Sequence, residues 1–433
     1  MVLEFSAENY RSIKDEITLK FEASTSIKDP IEHGFTMLGN TKVLNSMAFY
    51  GANSSGKTNV FMAVSLMKKM VIQSVKLNDN ERLPFDPFLL SARVQCPTKF
   101  EIVFIDNGDK ITYGFTYTKE KIVSEWLYAK FPRKSLKKLL ERDKDRIVID
   151  EQNYIEGASI KDGTVPLNSN RLFVSLAAQL GGVMSKRIIE WFRSKIMVIS
   201  GLHDDIYSQY TKKSLHNNEK KKAGILDLLS SMDLGFTEVT TRLLDIDSLE
   251  ASNSLPSVII RHMRDNPPIS AFSTHKICNE QGDVVGTTEF DIEERESSGT
   301  NKLFNLAGPI MDSLVKGATL LIDELDAQMH PLISRRIVKI FNSDLSNNHG
   351  AQLIFTTHDT NMLMKPLLRR DQIMFVEKSN TEVTKVTPML DIKLESGHKP
   401  RTDSNYEKNY LEGKYGAIPD LQEGYLWNDD DFK

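Results

Sequence analysis

The chain has 433 residues, 40% of them hydrophobic and 26% charged, with a formal net charge of -4. This is the profile of a globular protein of about two or three domains; it carries no global signature of nucleic-acid binding and leaves only a local basic groove open. Two cysteines, Cys96 and Cys278, exclude a disulfide framework or a cysteine metal cluster; with no signal-like start and no run of ~18 apolar residues, a cytoplasmic protein without a membrane span is expected.

Residues 2–7 and 17–21 alternate apolar and polar, which predicts two strands around a turn over 9–15. Ser46-Met-Ala-Phe-Tyr50 predicts a short buried strand. Residues 51–58, Gly-Ala-Asn-Ser-Ser-Gly-Lys-Thr, then fit the phosphate-loop pattern G-x-x-x-x-G-K-[ST] at every fixed position, and apolar residues at helical spacing follow over 59–68. A chance match in a glycine turn is the bland alternative, and the strand before and helix after argue against it.

The chemistry follows from the residue types. Gly51 and Gly56 let the backbone curl so that amides point inward, and the helix N-terminus adds positive charge. The expected nucleotide-binding set is Asn53, Ser54, Ser55, Gly56, Lys57, Thr58 and Asn59. Lys57 can reach the β- and γ-phosphates and so counts as catalytic, and the Thr58 hydroxyl is a candidate Mg²⁺ ligand.

An antiparallel meander is expected over 99–105, 111–117 and 122–128, with a turn at Asp106-Asn-Gly-Asp109. The β region continues to a strand at 146–149. The basic run 130–146 is interleaved with Glu141, Asp143 and Asp145, so a solvated surface is favoured over a nucleic-acid patch. Helices are expected over 171–178, 185–192 and 223–232, and the polar, basic stretch 211–222 reads as loop or helix tip.

Beyond residue 285 a strand over 286–293 leads to Ser297-Ser-Gly-Thr300 and an amphipathic helix through Lys316. Residues 319–323 and 352–357 are apolar runs expected as buried strands, with a helix over 333–343 between them. The first run ends in paired acids: Asp323 as a candidate Mg²⁺ ligand, and Glu324 to orient and deprotonate a water. His358 ends the second run, where ligands of open α/β sheets bind, and is a candidate γ-phosphate sensor rather than a plain helix-capping turn residue. Ser297, Ser298 and Gly299 can grip an anion at a helix start, although in isolation they read as ordinary capping.

Taken together, the phosphate loop, Ser-x-Gly-Thr, the acid pair with His330-Pro331 behind it, and Thr356-Thr-His-Asp359 resemble the ABC/SMC/RecF branch of P-loop ATPases. Residues 323–331, 368–377 and 410–419 are more closely similar to prokaryotic abortive-infection ATPases of the AbiL/RloA type. The resemblance implies an α/β fold: an ABC-type P-loop ATPase head with an antiparallel β subdomain and an inserted, mainly helical region. The expected division is 1–168 as N-terminal ATPase lobe, 169–250 as helical insertion and candidate dimerisation or partner arm, and 251–433 as C-terminal lobe. It further implies ATP and Mg²⁺ as ligands, a homo-oligomer of at least an ATP-sandwiched dimer, and a separately encoded effector, typically a nuclease, in anti-phage defence. By the same resemblance Ser297, Ser298 and Gly299 form the signature that meets ATP on the opposite protomer. Asp326 then lies in the loop that crosses between protomers.

The chain departs from that pattern at Ser54, where many relatives have glycine, and at Thr58, where most have serine. Glu296-Ser-Ser-Gly-Thr300 in place of the transporter signature argues against a transporter subunit. Gln73 and Gln95 are both candidates for the Q-loop residue. A RecF-like repair ATPase that clamps DNA directly is the alternative, kept open by the basic stretches and by Lys385, Lys393, Lys399 and Arg401. A fused nuclease is not expected from the 75 residues after His358, and Asp429-Asp-Asp431 reads as a tail.

Overall fold

The computed structural model describes residues 1–419 apart from 26, 28–33, 92–93, 201–204, 252–255 and 395–396; the Asp429–Asp431 tail lies outside the described residues. Apolar runs, closed at one edge by the more polar Thr384–Pro388, assemble a six-stranded sheet. Its order is Ile196–Ile199, Thr319–Ile322, Gln352–Thr356, Ser46–Tyr50, Ile373–Lys378 and Thr384–Pro388. The first five strands are parallel, and the last turns back as a hairpin. Every residue of Ser46–Tyr50 and Gln352–Thr356 is buried, as strands covered on both faces require. Because these strands run in parallel, Tyr50, Ile322 and Thr356 end at the same sheet edge, and the three chemistry-bearing loops leave from it together.

Alternating segments build the second sheet, seven strands and all antiparallel. Its order is Arg146–Ile149, Leu136–Asp143, Ile122–Lys130, Asp109–Tyr117, Thr98–Asp106, Val2–Glu8 and Ile17–Lys20. The phosphate-loop helix Lys57–Gln73 carries Val60, Ala63, Val64, Met67, Met70 and Val71 at helical spacing. All six join the core shared with the antiparallel sheet. Each fully buried side chain of valine to methionine size contributes roughly 1.5–3 kcal/mol. Gln352 pins the two sheets together: its amide accepts from Val2 N (2.7 Å) and donates to the carbonyls of Val2 (3.0 Å) and Leu44 (3.1 Å).

The helix after the signature, Ser298–Lys316, contains Gly308 and Pro309. A proline there removes the N–H that would bond the Asn305 carbonyl. The Thr211 hydroxyl replaces it, donating to Asn305 O (2.9 Å) and accepting from Gly308 N (3.1 Å). A Cβ at Gly308 would sit 2.5 Å from that hydroxyl oxygen, so the glycine is what lets helix Asp205–Asn217 approach.

This corrects the reading of 211–222. The stretch is helical, running from within Asp205–Asn217 into Glu219–Ser230, with Asn218 capping the second helix by accepting from Lys221 N. Two of its cations are structural: Lys212 is buried against Glu293 (2.7 Å), and Lys221 pairs with Asp312 (2.7 Å). Likewise Arg142, within the basic run, points inward towards the fully buried Glu125 (3.8 Å).

Burial pushes the Asp312 carboxyl up, but bonds from Lys221, Lys316 (2.6 Å) and Tyr210 (2.5 Å) outweigh it and hold the group below its usual value. A carboxyl depressed by folding contributes stability above its unfolded pKa of about 3.9 and loses it as pH falls through the folded value. Asp312→Asn is expected to cost roughly 1–3 kcal/mol at neutral pH. It should also flatten the decline in melting temperature between about pH 5 and pH 3. Parallel acid limbs for the two proteins would refute the assignment.

The strand expected over 286–293 runs Val284–Asp291. It joins a separate three-stranded antiparallel sheet with Glu238–Leu243 and Ile269–Cys278 rather than the parallel one. Its half-exposed residues suit a sheet with one wet face. The short runs at Phe35–Leu38 with Thr41–Leu44, Ile196–Ile199 and Ile373–Lys378 are strands that periodicity did not single out.

Candidate functional site

The phosphate loop is held by close backbone approach. A Cβ at Gly51 would lie 2.2 Å from the Val376 carbonyl, and one at Gly56 would lie 2.0 Å from Thr384 Oγ1 and 2.9 Å from Ser12 Oγ. Gly56 also sits at φ 103, a left-handed position that glycine adopts without strain. Thr384 bonds the Ser55 carbonyl (3.0 Å) and Ser12 Oγ (2.7 Å), and Asn59 donates to the same serine (2.6 Å). The loop is therefore wedged between the strand hairpin 373–388 and the N-terminal turn.

Lys57 curls over the loop and donates to the carbonyls of Gly51 (2.7 Å) and Ala52 (3.0 Å). Burial lowers its pKa, against the pull of Asp323, Glu324 and Asp326. Thr58 Oγ1 donates to Asp323 Oδ2 (2.7 Å), and Thr356 Oγ1 donates to Asp323 Oδ1 (2.6 Å). Thr356 also accepts from Glu324 N (2.7 Å), so a single hydroxyl orients both acids. The sequence reading missed this residue. Its signal was a hydroxyl closing an otherwise apolar run, directly before the residues that leave the sheet edge.

Residues 53–59, Asp323, Glu324 and His358 line one open cleft of about 420 Å³. Lys378 lines it too, from the strand beside the phosphate loop, while neither Gln73 nor Gln95 does. His358 N donates to Asp326 Oδ2 (3.2 Å), placing Asp326 behind the histidine within the same chain. Burial of one flank, then the Lys57 ammonium, hold the imidazole below its usual pKa, so it is neutral at physiological pH.

The signature residues are not in this cleft. Ser297 caps helix Ser298–Lys316, its Oγ accepting from Thr300 N (3.2 Å). Ser298 lines another cleft, of about 600 Å³, with Lys302 and Gln328. A Cβ at Gly299 would meet the Gln328 carbonyl at 2.6 Å.

The donor set fits a nucleoside polyphosphate with a hard cation. The loop's glycine cradle has no room for side chains at Gly51 and Gly56, and the Ser55 Oγ is buried without a partner among the described residues. Thr58 and Asp323 offer two oxygens, the chemistry Mg²⁺ prefers. Among the described residues no trio of His, Cys, Asp or Glu makes a metal cage, so Thr58 and Asp323 would hold a cation together with oxygens from outside the protein.

A parallel sheet carrying phosphate loop, acid pair and histidine at one edge, beside an antiparallel sheet, is the arrangement of a P-loop ATPase-type domain. The chain belongs to the family described as AAA domain, putative AbiEii toxin, Type IV TA system, whose model matches residues 46–364. No curated protein matches the sequence. Among solved structures, it is similar to one described as "Crystal structure of the SmcHead bound to the C-winged helix domain of ScpA". That match has 13% identity and a TM-score of 0.46 over 89% of this chain and 97% of that one. It is also similar to the "SMC head domain from Thermotoga maritima", with 14% identity and a TM-score of 0.43 over 89% and 98%. Among the described residues no helix is long and apolar enough to cross a membrane.

Proposed function

We propose that this chain is an ATP-hydrolysing switch of prokaryotic anti-phage defence, akin to the AbiL/RloA type, that controls a separately encoded effector, a nuclease being the typical kind. In this reading Lys57 and residues 53–59 grip the phosphates, Thr58 and Asp323 hold Mg²⁺, Glu324 activates water and His358 contacts the γ-phosphate. One observation carries it: the phosphate loop, Asp323, Glu324 and His358 share a cleft, while Ser298 faces another. A site so divided is completed by the Ser297–Gly299 signature of a second copy, which makes ATP the glue of a dimer or larger assembly. The family's description as a putative type IV toxin–antitoxin component supports the defence setting.

The test is mass by light scattering with and without ATP–Mg²⁺, for wild type and Lys57→Ala, alongside capture of the product of the neighbouring gene. Wild type is expected to assemble and retain the effector. Lys57→Ala is expected to lose nucleotide binding altogether. Assembly only on added DNA, without a protein partner, would favour the repair-ATPase reading.

Thr356→Val keeps the side chain's shape while removing the hydroxyl that donates to Asp323 Oδ1 and accepts from Glu324 N. Its expected cost of about 1–3 kcal/mol corresponds to roughly 5- to 150-fold in turnover. A Mg²⁺ titration of ATP hydrolysis checks it, and an unchanged curve would remove Thr356 from the site.

A further inference from the structure

We propose that Lys302 is a positioning residue that ties the seat of Glu324 to the helix bearing Ser298. Engagement of that helix by a second copy of the chain then sets the hydrolytic competence of the protomer's own cleft. This rests on the ATPase reading above.

Lys302 lies one turn into helix Ser298–Lys316 and is only 6% exposed. A lysine is costly to bury, and an apolar residue of similar length would fill the same space. What the ammonium adds is a bond: Nζ donates to the Glu324 main-chain carbonyl at 2.8 Å. On the other side of the same residue, Glu324 N donates to Thr356 Oγ1 at 2.7 Å. Apart from a longer bond to its carbonyl from Ala327 N within the loop (3.2 Å), the Glu324 backbone is thus held from two directions by different parts of the fold. Thr356 belongs to the parallel sheet, where it also bonds Asp323, and is fixed with it. Lys302 belongs to the signature helix.

Glu324 needs such holding. Its φ of 53 is left-handed, a conformation a side-chain-bearing residue keeps only where its surroundings enforce it. The second contact between helix and loop is as tight: at Gly299 any side chain would collide with the Gln328 carbonyl, 2.6 Å from the Cβ position. The first turn of the helix and the loop 324–328 are therefore in register. Ser298, Lys302 and Gln328 line the same cleft of about 600 Å³, so whatever enters there to meet Ser298 presses on both contacts. A shift of the helix moves the Lys302 ammonium, and with it the carbonyl that aims the glutamate. A displacement near 1 Å at a reacting group can cost about 100-fold in rate.

The experiment uses the full chain with Lys302→Met, which keeps length without charge, and Lys302→Arg, which restores a donor. Lys302→Met is expected to lower kcat about 10- to 100-fold, while ATP affinity and ATP-driven mass stay within about twofold. Lys302→Arg should recover most of that loss. In a Glu324→Gln background, Lys302→Met should add little further loss, because both changes act on one group. Amide hydrogen exchange on the nucleotide-free protein gives a reading independent of turnover. Peptides over 323–329 should exchange faster in Lys302→Met, with those of helix 57–73 unchanged. Wild-type kcat and exchange in Lys302→Met would overturn the proposal. So would equal losses of kcat, affinity and melting temperature in both variants, which mark a purely structural lysine. If the wild type itself fails to bind ATP, the ATPase reading falls, and the exchange experiment alone decides whether Lys302 holds the Glu324 loop.

Discussion

Glu324→Gln is expected to bind ATP–Mg²⁺ as the wild type does and to turn it over about 10²- to 10⁴-fold more slowly, the usual contribution of a positioned general base. The reasoning is local. Glutamine matches glutamate in volume, so the cleft keeps its shape. The backbone bonds of residue 324, to Thr356 Oγ1 and from Lys302 Nζ, do not involve the side chain and survive. Asp323 is bonded independently, by Thr58 and Thr356, so the proposed cation site is intact as well. What is lost is the carboxylate facing the cleft and its ability to take a proton from water. Binding without turnover should let the assembled state accumulate, visible as a larger, longer-lived mass by light scattering at saturating ATP. Single-turnover hydrolysis at the wild-type rate would sink the assignment of Glu324 as base.

A comparable effect, on stability rather than rate, is expected from Glu125→Ala. The carboxylate is fully buried, accepting from Tyr113 Oη (2.9 Å), Phe173 N (2.6 Å) and Val174 N (3.0 Å), with Arg142 at 3.8 Å. Burial pushes its pKa up, against Arg142 and those donors. Truncation leaves a buried guanidinium, two amides opening helix Phe173–Gln179 and a phenol without this acceptor. Removing one member of a buried charge pair costs about 3–5 kcal/mol, a large share of the roughly 5–15 kcal/mol that holds a domain together. Urea unfolding followed by circular dichroism measures it. The consequence reaches the site only indirectly: Ser175, on that helix, bonds the Val71 carbonyl of the phosphate-loop helix (2.7 Å). Nucleotide affinity of the folded fraction should therefore hold while the unfolding midpoint drops. A loss under about 1 kcal/mol would mean the pair is not the anchor its geometry indicates.

Much of the fold and of the candidate nucleotide cleft was legible in the chain because the signals are local. Gly51 to Thr58 is a contiguous segment, its glycines are dictated by backbone geometry, and the flanking strand and helix announce themselves by hydrophobic pattern. The acid pair and His358 end apolar runs, and an apolar run in an α/β chain reads as a parallel strand whose C-terminal end carries chemistry. The meander over 98–130 was equally plain, since period-2 alternation and an Asp-Asn-Gly-Asp turn are properties of neighbours in sequence.

The residues that escaped are those whose role exists only across long separations. Thr58 and Asp323 are 265 positions apart, Gln352 and Val2 are 350, and nothing local marks Lys302 as the partner of Glu324. Polar, basic composition made 211–222 read as loop or helix tip, yet Lys212 and Lys221 are spent on Glu293 and Asp312, because a charge count cannot tell a buried pair from a wet face. By itself, then, the sequence singled out the candidate residues for phosphate, cation and water, since that choice depends on residue type and short-range backbone conformation. Tertiary structure alone decided that the Ser298 signature faces a different cleft from Lys57, and that Lys302 reaches Glu324. Those are facts of how distant helices and strands pack, and packing is set by the sum of many weak, non-local contacts.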